Sequence, residues 1–145
     1  MGHLGGCAAI VFRGKNDKAH TDELTRVVGE LYLERQTRLG VVIAIEASAE
    51  PPDNEHRQHY AMALRASERE VCSAVQAVLA TGLRGAAYRT IMSAIQLLSR
   101  PNIPTAIVDS TVDAAQTVAE TTPGLEVTAA RLHQWLESLR KMGAP

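Results

Sequence analysis

Aromatic side chains are scarce in this 145-residue chain, which has one Phe, one Trp and three Tyr. Its core must therefore be aliphatic and rich in alanine, with few ring faces left for stacking on bases or sugars. Cysteine is nearly as rare. Cys7 and Cys72 form neither a C-x-x-C nor a zinc spacing and lie in apolar stretches, so both are expected to be buried, reduced thiols. Neither sign of charge dominates: 15 Lys+Arg against 16 Asp+Glu leave a net charge of −1. No basic tract could neutralise a row of phosphates, which argues against nucleic-acid binding. No charged-then-apolar leader opens the chain, and no apolar run approaches the roughly 18–20 residues of a membrane span. These absences lead to the expectation of a soluble, cytoplasmic protein.

What is present is an apolar fraction of 46%, enough for one ordinary core, and a hydrophobic period that switches repeatedly between strand-like runs and helical stripes. "CAAIVFRG" (7–14) predicts a first strand. A helix follows, with Thr21 as N-cap and with Leu24, Val27, Val28, Leu31 and Arg35 on one face. "GVVIAIEA" (40–47) has the continuous β-branched character of a parallel strand buried on both faces. From Asn54 to Gly82 the residues Tyr60, Leu64, Ser67, Val71, Val75 and Val78 recur at a helical period, predicting one long helix that overhangs the sheet; a capping box at "SERE" (67–70) would instead divide it. "LRGAAYRT" (83–90) is the next strand. "TIMSAIQLLSRP" is then a short helix with Ile91, Ala94, Ile95 and Leu98 on one side, stopped by Pro101. "NIPTAIVDS" (102–110) is the last strand, and Ser110 with Asp113 caps the helix after it. The final amphipathic helix carries Leu132, Trp135, Leu136 and Leu139 on one stripe, with Gly143 as its stop.

Alternating strands and helices imply a single α/β domain over 1–124, a mainly parallel sheet flanked by helices, with the C-terminal helix of 125–145 packed on it or at an interface. The loops after Glu46 and Asp109 then share the carboxyl edge of the sheet, where open α/β folds hold their working residues. Catalytic constellations are incomplete there. Gly2, Gly5 and Gly6 precede the first strand, unlike a dinucleotide-binding turn, and Gly14-Lys15 is followed by Asn16 rather than the Ser/Thr of a phosphate loop. "EASAE" places Glu46 and Glu50 where a hydrolase elbow around Ser48 needs glycine, so a nucleophile assisted by His56 or His59 and Asp53 is disfavoured. Glu55, His56 and His59 could reach one cation but lack an evident further ligand. Glu46 and Asp109 read as turn or cap acids more readily than as an acid/base pair. Neither a metal nor a cofactor is expected.

"GVVIAIEAS…PPDNEHRQHYAMAL" followed by "LRGAAYRTIMSAIQLLSRPNIPTAIVDSTVDAAQTV" resembles the STAS family, the sulfate-transporter and anti-sigma-factor-antagonist domain, in its small stand-alone bacterial form. The resemblance spans roughly residues 7–120 and lies in element order and apolar pattern. It implies a non-enzymatic regulatory or scaffold module that works by protein–protein contact. A first hairpin strand would have to fit within "MGHLG". In phospho-switched relatives a Ser or Thr follows an acid at a strand end; Ser48 is the nearest position here, although the family's Asp-Ser-Ser/Thr-Gly run is absent. Glu46, Ser48, Asp53 and Asn54 are thus the expected partner-binding loop, with Ser48 the possible phosphoacceptor. Trp135 and Leu136 are a second candidate contact, to a partner or to a second copy in a homodimer. The alternative is a small-ligand sensor or enzyme subunit that holds an anion or nucleotide at the loops Glu46–Asn54 and Asp109–Thr111, against helix N-termini.

Overall fold

The computed structural model describes residues 1–142. The strands are β1 (Gly2–Leu4), β2 (Cys7–Phe12), β3 (Leu39–Ile45), β4 (Val71–Val78) and β5 (Thr105–Val108). The helices are α1 (Lys18–Arg35), α2 (Asn54–Ala66), α3 (Gly82–Ser99), α4 (Thr111–Thr121) and α5 (Ala129–Lys141). The sheet order is β1-β2-β3-β4-β5, with β1 antiparallel to β2 and every later pair parallel. The expected α/β domain with a mainly parallel sheet and an added C-terminal helix is therefore present. Crossovers of one hand that always advance in the same direction leave their helices on one face of a sheet. Accordingly α1, α2 and α3 bury Leu24, Val28, Tyr60, Tyr88 and Ile95 against one side, while α4 and α5 bury Val118, Leu132 and Leu136 against the other.

β3 lies in the middle and is buried along its whole length, as its β-branched run predicts. Gly40 within it admits α4 closely: a Cβ there would stand 2.5 Å from Thr122 Oγ1 and 2.9 Å from Val118 Cγ1. The short hairpin strand does fit before Gly5, as β1 pairs with Cys7–Ala9.

Four expectations are corrected. The long helix over 54–82 does not form: α2 ends at Ala66, a 3-10 turn covers Ser67–Arg69, and Val71–Val78 is strand β4. Spacings of four and three at Val71, Val75 and Val78 imitate a helical stripe, and a strand covered on both faces, with Ser73 and Gln76 buried among its apolar residues, shows no alternation to set against it. The strand expected over 83–90 is instead the first half of α3, whose inner face is Gly85, Tyr88, Met92, Ile95 and Ser99. That stripe starts before the one expected, and it turns Ala94 and Leu98 to solvent. Helix α1 is capped by Asp17, whose carboxylate accepts the amides of Ala19 and His20; Thr21 is a buried residue of its first turns. Finally, Cys7 is fully buried, which pushes its thiol up to about 12, but Cys72 is only half-buried. Gly143 lies outside the described residues.

Candidate functional site

At the carboxyl edge the loop after β3 is held tightly. Gly14 N–H donates to the Ser48 carbonyl (3.0 Å) and Glu50 N–H to the Gly14 carbonyl (2.6 Å), which joins this loop to the one after β2. Ala49 is buried, and its carbonyl accepts both the Tyr88 hydroxyl and Arg84 Nη2 (2.6 Å) from α3. Asp53 is the N-cap of α2, its Oδ1 accepting His56 N–H at 2.8 Å, and Asn54 is the first helical residue; both are exposed. A proline pair and an acidic cap give this loop its shape, because proline fixes φ and a carboxylate satisfies orphan helix amides.

Glu46 is not a free acid. Arg140, in the last turn of α5, donates from Nε (2.7 Å) and Nη2 (3.2 Å) to its two carboxylate oxygens. Arg140 also donates to Glu137 Oε1 (2.9 Å), which accepts the Thr111 hydroxyl (2.6 Å) from the first turn of α4. Arg13, after β2, lies 4.0 Å from Glu46 and donates to the Arg140 carbonyl. The result is a chain of charge-assisted bonds from β5's end through α5 to β3's end. The Thr111 hydroxyl, followed by Arg140, holds the Glu137 carboxyl below its ordinary range, and the Glu46 carboxylate holds the Arg140 guanidinium above its own. Beside this chain opens a depression of about 490 Å³, lined by Arg13, Glu46, Ser48, Glu137, Arg140 and Lys141. Ser48 stands exposed within it.

The other sequence candidates separate. His56 is 5% exposed; its Nε2 is 3.1 Å from Thr21 Oγ1 and its Nδ1 is buried without a partner. His59 pairs with Asp22 (2.6 Å) and Glu55 with Lys18, so the three groups considered for a cation point to three different places. Ser48, His56 and Asp53 are not assembled as a nucleophile, base and orienter, since His56 is held by Thr21 and Asp53 by a backbone amide. Asp109 is exposed. Among the described residues no grouping of three His, Cys, Asp or Glu could hold a metal, and no helix is long and apolar enough to cross a membrane. The second candidate surface divides: Trp135 is half-buried against Gly2, but Leu136 is 1% exposed and packs in the core, so it offers no surface to a partner.

Burial pushes the His56 imidazole below its ordinary value. A base that resists protonation when folded lowers stability once the unfolded chain begins to bind the proton. Stability should thus fall as pH drops below 6.5 and level off below the depressed folded value, while His56→Gln should be flat across that window. Urea midpoints measured on both sides of pH 6.5 check this. An equal decline in the variant would assign the effect elsewhere. The loss due to Glu137 lies apart, below pH 4.5.

Sequence reading missed Arg13, Glu137 and Arg140. A cation in the last turn of α5 is a signal only of favourable interaction with the helix end; nothing local says that it reaches a strand end 94 residues away. It also missed a buried polar chain beneath α2 and α3, in which Gln96 donates to Gln76 (2.6 Å) and Gln76 to the Tyr60 hydroxyl (3.4 Å), because Gln76 sits on the unrecognised strand β4. No family model, curated protein or solved structure matches the chain. The fold and this edge define a single-domain α/β protein whose carboxyl-edge acid is neutralised by its own C-terminal helix.

Proposed function

We propose that this chain is a cytoplasmic, non-enzymatic regulatory or scaffold protein, acting through a protein partner that reads the carboxyl edge, with Ser48 as phosphoacceptor. The observation that carries the reading is the exposed Ser48 beside Arg13, Arg140 and Lys141, in a depression whose acids are engaged in structural bonds. Element order and the STAS resemblance support it. A phosphate on Ser48 brings nearly two negative charges beside Glu46, repels it, and competes for Arg140 and Arg13. The last turn of α5 is thereby released from β3, changing the surface that a partner meets.

Native mass spectrometry of the protein isolated from its own host is the test. The expected result is a phosphorylated chain or a complex with another polypeptide, lost in Ser48→Ala and altered in Arg140→Ala. Turnover of a substrate that is abolished by substitutions in 46–59 would overturn the reading. Arg140→Ala should cost about 1 kcal/mol of stability, as expected for a partly exposed pair.

A second reading, a small-anion sensor or enzyme subunit, is favoured by the three cations lining the same depression, with the N-termini of α2 and α4 at that edge. Ligand-dependent melting separates the two, since a ligand bound only to the folded state must raise its stability. A bound metabolite-sized mass, with melting shifts lost in Arg13→Ala, would put this reading first.

A further inference from the structure

Helix α3 carries the two most exposed large apolar side chains of the described residues, Leu83 at 92% and Leu97 at 77%, and a third exposed leucine, Leu98, at 59%. Leu83 and Leu97 lie opposite its buried stripe, and Leu98 lies on the flank. At 100° per residue Leu83, Ala87, Thr90, Ala94 and Leu98 fall within one narrow sector, and none of them is charged. The helix has two cations, and both leave this face. Arg84 donates to the Ala49 carbonyl, and half-buried Arg89 lies beside Gly85. Eighteen residues in length, α3 would present this face over roughly 27 Å.

The order of residues on the face identifies its occupant. Leu83 and Leu98, and Ala87 and Ala94, are placed symmetrically about one point, midway between Thr90 on the face and Ile91, which leans on the core. A second copy of the same helix, laid antiparallel across it, brings leucine to leucine at both ends and alanine to alanine between them. An interface in which residue i meets j while j meets i is the isologous contact of a two-fold dimer. Small residues beside the axis allow the helices to approach at the short end of the usual 8–10 Å. With a net charge of −1 the chain carries little self-repulsion.

We propose that α3 is a homodimer interface, with a two-fold axis crossing it between Thr90 and Ile91. One helix pair covers less than the ~800 Å² per partner of a standard interface, so the dimer exchanges with monomer at working concentrations. The surface is distinct from Trp135 and from the Ser48 edge, and the inference does not depend on the function proposed above.

The test is sedimentation of the full chain over a range of concentrations. The average mass should rise toward a dimer, and Leu98→Glu should weaken association roughly 100-fold, about 2.7 kcal/mol, since the two-fold counts it twice. Leu83→Glu, its mate, should do the same. The decisive variant combines Leu83→Lys with Leu98→Glu. Within one chain these positions stand about 22 Å apart, too far to pair, but across the two-fold each meets its opposite, so dimerisation should return. Thr90→Cys, made with Cys72→Ser, should oxidise readily to a linked dimer, whereas Gln58→Cys on exposed α2 should not. A monomer at every concentration, an association indifferent to Leu98→Glu, or a charge pair that fails to restore it, overturns the proposal. Unchanged melting of the variants separates lost contact from lost fold.

Discussion

A chain that stops at Gly124 should be recovered as an insoluble product. Helix α5 places Leu132, Leu136 and Leu139 in the core formed with Cys7, Ala9 and Val42 of the sheet and Val118 of α4. Each fully buried leucine contributes roughly 1.5–3 kcal/mol, so the three together amount to about 5–9 kcal/mol. That is comparable with the whole stability of an ordinary domain, about 5–15 kcal/mol. The truncation also bares one side of β2 and β3, and it removes Arg140 from Glu46. Soluble yield and dye binding to exposed apolar surface are the measurements. A soluble, cooperatively melting monomer would make α5 an appendage. Within the intact chain, Leu136→Ala should cost about 2–5 kcal/mol, the range for emptying a buried leucine site.

Gly85→Ala should destabilise the protein even though it raises helix propensity. Replacing glycine by alanine inside a helix ordinarily gains about 1 kcal/mol. At Gly85 the added Cβ would stand 2.1 Å from the carbonyl oxygen of Ala80 and 2.9 Å from its carbon, both backbone atoms of the tight turn that follows β4. Ala80 is itself buried, so the turn has little room to retreat. Overpacking of this kind costs about 1–3 kcal/mol, and a backbone neighbour places this site at the upper end. Gly29→Ala in α1 is the control, since nothing lies within 4 Å of a Cβ there, and it should stabilise. Denaturant midpoints of the two variants should therefore move in opposite directions. A gain in both would show that the β4–α3 turn is pliable.

The sequence showed its architecture most clearly where burial is one-sided. The stripe Leu24, Val28 and Leu31 located α1, and Leu132, Leu136 and Leu139 located α5, because each of these helices presents a single face to the sheet. β3 was legible for another reason: seven consecutive buried residues rich in β-branched side chains leave a helix no polar face. β4 failed because Cys72, Ser73, Ala74 and Gln76 dilute its valines, and what remains is spaced like a helix. The clue available was length, nine residues between "SERE" and "ATG", where a strand fits and a separate helix does not. Once β4 was absorbed into a helix, a strand had to be sought in 83–90, and α3 was displaced with it. At the site, Ser48, Asp53 and Asn54 were placeable because a strand end, a proline pair and an N-cap are local signals. The partner of Glu46 was not, since the reach of Arg140 depends on how α5 lies across the opposite face.

The order β1-β2-β3-β4-β5 means that each strand joins the edge left by the strand before it, and no strand must be threaded between two that are already paired. A chain emerging from the ribosome can therefore build this sheet outward one ladder at a time, in the direction of synthesis. Only the face that α4 and α5 cover has to wait until those two helices, which follow all five strands, have been made. Until α5 arrives, Val42 and Val75 at the sheet's centre lack much of their cover, and the newborn protein is at its most vulnerable to aggregation. The same late contact that tethers Arg140 to Glu46 thus closes the second face of a sheet whose strands were all made before it.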